Sequence, residues 1–269
     1  MDTVPAEFAQ EIFVSSSWVH QMCPRASLLT GIFGLSAINH YEQSHGKELV
    51  FLDGAVRSSC YFNFKMKPMA SNATGPLLKY RRFTELVFGG FLNSDPPVKE
   101  TLVSEFIENA GMGKLALYTF DLHEKWIEHL TLWKTLASVT VSVEMTEPVA
   151  KFLEGLLNLK RIIELDLIGC RGSCEDLGLK FLQQSDLRFL TLGRFHKKWK
   201  KRILGLWQED STRLSGKTVI WSCHVSLLNK TFERIEHTET NRLRYESKDF
   251  IVEYKKLKEK VTMSIIRFL

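Results

Sequence analysis

The stretches Ile162-Ile163-Glu164-Leu165-Asp166-Leu167-Ile168-Gly169-Cys170 and Leu187-Arg188-Phe189-Leu190-Thr191-Leu192-Gly193-Arg194-Phe195 decide the fold. Ile162, Leu165, Leu167 and Cys170 stand at the same offsets as Leu187, Leu190, Leu192 and Phe195, and Leu190 follows Leu165 by 25 residues. The central leucines of each copy are two apart, the period of a strand with one buried face. So short a strand cannot bury that face alone, and units that recur at such a step stack on one another. The spacing therefore predicts a solenoid and a binding surface, without naming what is bound.

The offsets L-x-x-L-x-L-x-x-C are those of leucine-rich repeats, whose period is about 20–29 residues. Weaker copies extend the series in both directions. They are Leu136 with Val139 and Val141, Met112 with Leu115 and Leu117, Phe83 with Leu86, Phe88 and Phe91, Phe62 with Phe64, and Val219 with Trp221. That makes seven candidate strands. An ordinary α/β domain with evenly spaced strands gives the same alternation. The gaps read as helices. Ser94-Asp95-Pro96-Pro97 opens one that carries Val98, Leu102, Phe106 and Ile107 and closes at Gly111. Thr146-Glu147-Pro148 opens another with Val149, Phe152, Leu153, Leu156 and Leu157 on its face. Ser173 and Asp176 fit a capping box ahead of Leu177, Phe181 and Leu182. Strand and helix alternate, which favours a parallel sheet. The expected fold is α/β, a leucine-rich-repeat-like solenoid of parallel strands with return helices, preceded by a short helical segment. The expected division is 1–48 and 49–269.

Composition sets bounds. The chain has 269 residues, 44% hydrophobic and 25% charged, as a folded soluble protein does. A net charge of +5 is too mild to argue for nucleic acid by itself. No run approaches the ~20 apolar residues of a membrane helix; Leu28 to Ile38 comes nearest and is interrupted by Thr30, Gly31, Gly34 and Ser36. The start has neither the basic residues nor the apolar run of a signal peptide. Five cysteines, an odd number with no C-x-x-C, read as reduced thiols. A cytoplasmic or nuclear protein is expected, so the sequons at Asn72 and Asn229 carry no weight. Cys170 reads as the residue that turns the chain off its strand.

The first fifty residues leave the repeat. Val4, Phe8, Ile12 and Phe13 share one helical face. Leu28, Leu29, Ile32, Phe33 and Leu35 form a second apolar patch that suits a helix packed on the first, and His40 to Lys47 reads as a junction. Val4-Pro5-Ala6-Glu7-Phe8 through Ile12-Phe13 resembles the start of an F-box, and with the degenerate repeats that follow it is similar to the nematode families of F-box-related proteins. The resemblance implies that Val4, Pro5, Phe8, Ile12 and Phe13 dock on a Skp-type adaptor. It also implies that the repeats hold a substrate for a cullin–RING ubiquitin ligase. Trp18 and Cys23 stand earlier than an F-box places such residues. The residues equally suit a helical cap over the first repeat.

Strings that suggest catalysis depart from their motifs. His123-Glu124 and His129 are too widely spaced for H-E-x-x-H, which needs its histidines four apart on one helix face; a polar helix face around Trp126 suits them. Gly111-Met112-Gly113-Lys114 and Gly216-Lys217-Thr218 lack the first glycine of a phosphate loop, and the second leads into a strand rather than a helix. Cys170 and Cys174 have no second pair at zinc-finger spacing. No G-x-S-x-G occurs. No enzyme, cofactor or metal is expected.

Alternation predicts the open face instead. With Leu165 and Leu167 inward, Glu164, Asp166 and Ile168 face the concave side. In register with them come Glu85, Val87, Lys114, Ala116, Tyr118, Ser138, Thr140, Ser142, Phe189, Thr191, Thr218 and Ile220. Apolar groups mixed with a few charges suit a protein partner or substrate more than catalysis. Arg194 to Arg202 is the one concentrated basic stretch. It reads as a solvated helix with Trp199, Ile203 and Leu204 inward, as an import signal, or as a nucleic-acid contact with Trp199 stacking on a base. Alternation at Phe250, Val252 and Tyr254, and at Val261, Met263 and Ile265, suits a closing hairpin.

Overall fold

A computed structural model describes residues 5, 8, 25–52, 55–63, 65–69, 80–89, 111–118, 124–170, 175–193, 199–227, 233–235, 242–257 and 260–269. The architecture is α/β, with mixed sheet pairing and several helices. Two compact units divide the chain, residues 1–115 with 132–136, and residues 116–131 with 137–269.

In the first unit, α1 (Gly31–Gln43) leads into β1 (His45–Leu52), β2 (Ala55–Asn63), β3 (Arg81–Gly89) and the start of β4 (Met112–Leu117). The order is β2-β1-β3-β4. β1 runs through residue 48, the expected division. Leu49, Phe51, Leu86, Phe88 and Leu115 are buried, and the Phe51 and Phe88 rings stack 5.0 Å apart. β1 and β3 are parallel, with Leu49 opposite Leu86. β2 is antiparallel to β1, so the apolar copy at Phe62 sits in a hairpin and not on a parallel rung. Alternation fixes which face is buried, not which way the strand runs; the short connection across 53–54 forces the reversal. α1 also departs from expectation. It buries Gly34, Ser36, Ala37 and His40, while of the expected patch Leu28, Leu29 and Leu35 are exposed and Ile32 and Phe33 half-buried. The reason is steric, because Gly34 packs directly on the Leu29 carbonyl and a Cβ there would overlap it.

The second unit carries the repeat. α2 (Glu124–Leu132), β5 (Leu136–Val141), α3 (Glu147–Leu159), β6 (Glu164–Leu167), α4 (Glu175–Leu182), β7 (Phe189–Leu192), α5 (Trp199–Glu209) and β8 (Thr218–Trp221) alternate in sequence. β5, β6, β7 and β8 are parallel neighbours, with Val139, Leu165, Leu190 and Val219 opposite one another. All four are buried, as are Val141, Leu167, Leu192 and Trp221 one step along. α3 begins where Thr146-Glu147-Pro148 predicts and buries Val149, Phe152, Leu153 and Leu156. Two glycines let the rungs close up. A Cβ on Gly169 would strike Ser142, and one on Gly193 would strike the Ile168 carbonyl. Cys170 is fully buried, and its N–H donates to the Leu167 carbonyl at 3.2 Å as the chain leaves β6.

The parallel run stops at β8. β12 (Lys260–Phe268) pairs antiparallel with it, followed outward by β11 (Phe250–Leu257), β10 (Arg242–Glu246) and β9 (Glu233–Ile235), all antiparallel. The closing hairpin is β11 with β12. The expectation of parallel strands is thus corrected at β2, where a short connection gives a hairpin, while the expected closing hairpin adds antiparallel strands beyond β8. The expected helix after Ser94 lies outside the described residues, as do Phe64, Phe91 and Ser173.

Candidate functional site

Each predicted concave residue in the second unit alternates with a core residue. Ser138, Glu164, Phe189 and Thr218 form one row across β5 to β8, and Thr140, Asp166, Thr191 and Ile220 form the next. Neighbouring strands lie about 4.8 Å apart, so side chains along a row are in reach of one another. Ser138 Oγ donates to Glu164 Oε2 at 3.1 Å. The rows are half-buried except Thr218, which is buried. Ile168 and Tyr118, at strand ends, are 42% and 54% exposed. Ser142 is half-buried beside Gly169, while Ala116 is buried. Asp166 Oδ1 accepts the Ile168 N–H at 2.8 Å. Burial pushes the Asp166 carboxyl above its ordinary pKa, and that hydrogen bond pulls back against the shift.

Glu85, Val87 and Lys114 belong to the first unit, on β3 and β4. Glu85 and Val87 stand opposite Glu48 and Val50 of β1. Burial raises the Glu85 pKa most; Lys114 opposes the rise, and Glu48 adds to it. Lys114 Nζ lies 4.8 Å from the Phe83 ring centroid. The fifteen predicted concave residues therefore fall in two sets, three in one unit and twelve in the other.

Of the predicted adaptor-binding residues, Pro5 and Phe8 are exposed. Val4, Ile12 and Phe13 lie outside the described residues, as do Cys23, His123, Cys174 and Arg194 to Lys198. The described part of the basic stretch is the start of α5. Trp199 and Ile203 are fully buried and Leu204 is half-buried, while Lys201 and Arg202 are exposed. Trp199 packs against Gly178, so its ring offers no face to a base and the stacking reading is corrected. Gly178 on α4 makes the room for the buried Trp199 ring.

Other strings resolve into structure. Lys217 is buried and donates from Nζ to the Leu182 and Gln184 carbonyls, both at 2.6 Å, at the C-terminal end of α4. Burial lowers its pKa to about 8; Arg188 pulls the same way and Asp186 opposes. In α2, Trp126, Ile127 and Leu130 are buried and His129 is half-buried. A groove of about 510 Å³ runs between α4 and α5, lined by Asp176, Leu179, Lys180, Arg202, Gly205 and Glu209 among others. Arg202 and Asp176 pair across it at 2.6 Å. Among the described residues no group of three or more His, Cys, Asp and Glu could hold a metal ion. No described helix is long and apolar enough to cross a membrane.

Sequence reading overlooked one cluster, at the start of β1 and β3, where His45, Arg81 and Tyr61 come together. Its signal was the dipeptide Arg81-Arg82 at the head of a strand otherwise dominated by apolar residues. No protein-family model, curated protein or solved structure matches this chain.

Proposed function

We propose that this chain is a non-enzymatic protein-recognition module with leucine-rich-repeat-like character, and that it serves as the substrate receptor of a cullin–RING ubiquitin ligase. The observation that supports recognition is the pair of in-register rows on β5 to β8, Ser138–Glu164–Phe189–Thr218 and Thr140–Asp166–Thr191–Ile220. They mix hydroxyls, two carboxylates and two apolar side chains at fixed spacing, a composition suited to a partner's surface. The ligase role rests on the F-box-like opening and on exposed apolar side chains near it. Phe8, Leu28, Leu29 and Leu35 all reach solvent, Leu28 at 84% exposure. Under this reading the segment docks on a Skp-type adaptor in the cytoplasm or nucleus.

A pull-down of the full chain with a Skp-type adaptor tests the ligase role. Capture by the wild type and its loss in a Phe8→Asp, Ile12→Asp double variant are expected. Failure of the folded wild type to bind overturns it. A free-standing scaffold is the second reading, favoured by the exposed polar rim of α3 and α4. It predicts that trimming residues 1–45 destabilises the protein without removing a partner captured through Phe189 and Asp166.

A further inference from the structure

The first unit holds a buried positive charge with no counter-charge among the described residues. His45 opens β1 and stands opposite Arg81, which opens β3. They are 1% and 7% exposed. The register between the two strands shifts here, with His45 opposite Arg81 and Gly46 opposite Phe83, so Arg82 is the extra residue of a bulge. A bulge moves the side chains on either side of it by one step. Arg81 thereby shares the face of Thr84, and of His45 and Lys47 on β1. Tyr61 on β2, opposite Lys47, joins them.

The distances agree with that placement. The His45 and Tyr61 rings lie 5.9 Å apart. Arg81 Cζ is 5.9 Å, and Lys47 Nζ 5.6 Å, from the Tyr61 ring centroid. Burial lowers the Arg81 pKa, and Tyr61 beside it works against that shift. Yet Arg81 Nε and Nη1, His45 Nε2 and Thr84 Oγ1 are all buried with no hydrogen-bond partner among the described residues. His45 Nδ1 is 3.3 Å from the Gln43 carbonyl, which accounts for the other ring nitrogen.

A guanidinium stays protonated, so Arg81 cannot shed its charge as a buried lysine can. The other buried charges among the described residues, Glu253 and Lys217, are compensated. Glu253 on β11 is nearly inaccessible, and Arg267 pairs with it at 3.2 Å and Arg244 at 4.0 Å. Lys217 has two carbonyls. Arg81 faces the Tyr61 ring and, among the described residues, no acid. Buried polar groups left unpaired in this way signal a missing partner.

We propose that Arg81, His45 and Tyr61 form a binding site for a compact oxyanion of the phosphate class. Three unpartnered nitrogens and a nearby hydroxyl outnumber the two oxygens of a carboxylate and suit a tetrahedral group. Half-buried Lys47 marks the side on which the cluster meets solvent. Burial and the Arg81 charge both hold the His45 pKa low, and an anion between them would reverse the second effect. This site is independent of the rows on β5 to β8.

Isothermal titration of the full chain tests it, with inorganic phosphate in one arm and a neutral-ended phosphoserine peptide in the other. Saturable binding is expected in at least one arm. Heat from inorganic phosphate assigns a free oxyanion; heat from the peptide alone assigns a phosphorylated protein segment. Arg81→Gln should weaken binding about tenfold or more, Tyr61→Phe and His45→Gln by less, and Lys255→Ala on β11 not at all. Melting curves establish which variants fold, and Tyr61→Phe, which keeps the ring, serves if Arg81→Gln does not. Absence of saturable heat in both arms overturns the proposal, as does undiminished binding in every folded variant.

Discussion

Lys160 closes α3 in the left-handed region, at φ 49° and ψ 39°. A side chain there costs energy that glycine does not. Lys160→Gly should raise stability by about 0.5–1 kcal/mol in urea unfolding. Lys217 gives a pH signature. Below about pH 8 both the folded and unfolded chains carry its proton. Between about 8 and its ordinary 10.5 only the unfolded chain does, so this group makes stability rise with pH across that window. Melting temperatures of the wild type and Lys217→Met from pH 7 to 10 should show the wild type gaining on the variant only above about 8. Neither lysine was legible as structural from sequence. Lys217 stood in a Gly-Lys-Thr string, and burial of a lysine depends on carbonyls that arrive from thirty residues away.

Among the elements, the strands of the repeat were the most legible part. Two leucines at fixed offsets set both the inner face and the register, because a one-residue slip would expose every inner side chain. Leu165→Ala should cost about 2–5 kcal/mol, since Leu165 is buried between Val139 and Leu190. Thr191→Ala, on the outer row, should stay within about 0.5 kcal/mol. Equal losses in chemical denaturation would mean that the two faces are not distinct. The predicted outer residues of β6 and β7 took their places by the same logic. Strand direction was not legible, as β2 and β12 show. It depends on the connections, and these carry no apolar period. α1 misled for a different reason: its leucines promised a core face, but close packing at Gly34 turned the small residues inward.

At the scale of the molecule, the two units predict unfolding that departs from a single transition, with fluorescence from Trp133 in the first unit and Trp199 in the second tracing different midpoints. Coincident midpoints would show the units to be coupled. Removing 242–269 should leave Thr218–Trp221 as an unpaired edge and drive aggregation, measured by light scattering. The anion cluster was largely illegible, because it needs a bulge to bring Arg81 onto the face of His45, and a bulge leaves little trace in composition. The reversal at β8 has a further bearing on how such a protein can grow. A tandem copy of residues 162–186 would enter ahead of β8 as one more interchangeable module, since the rung before and the rung after run the same way. Behind β8 the neighbour runs the other way and offers no docking site for a further module. The protein can therefore be lengthened from its middle and not from its tail.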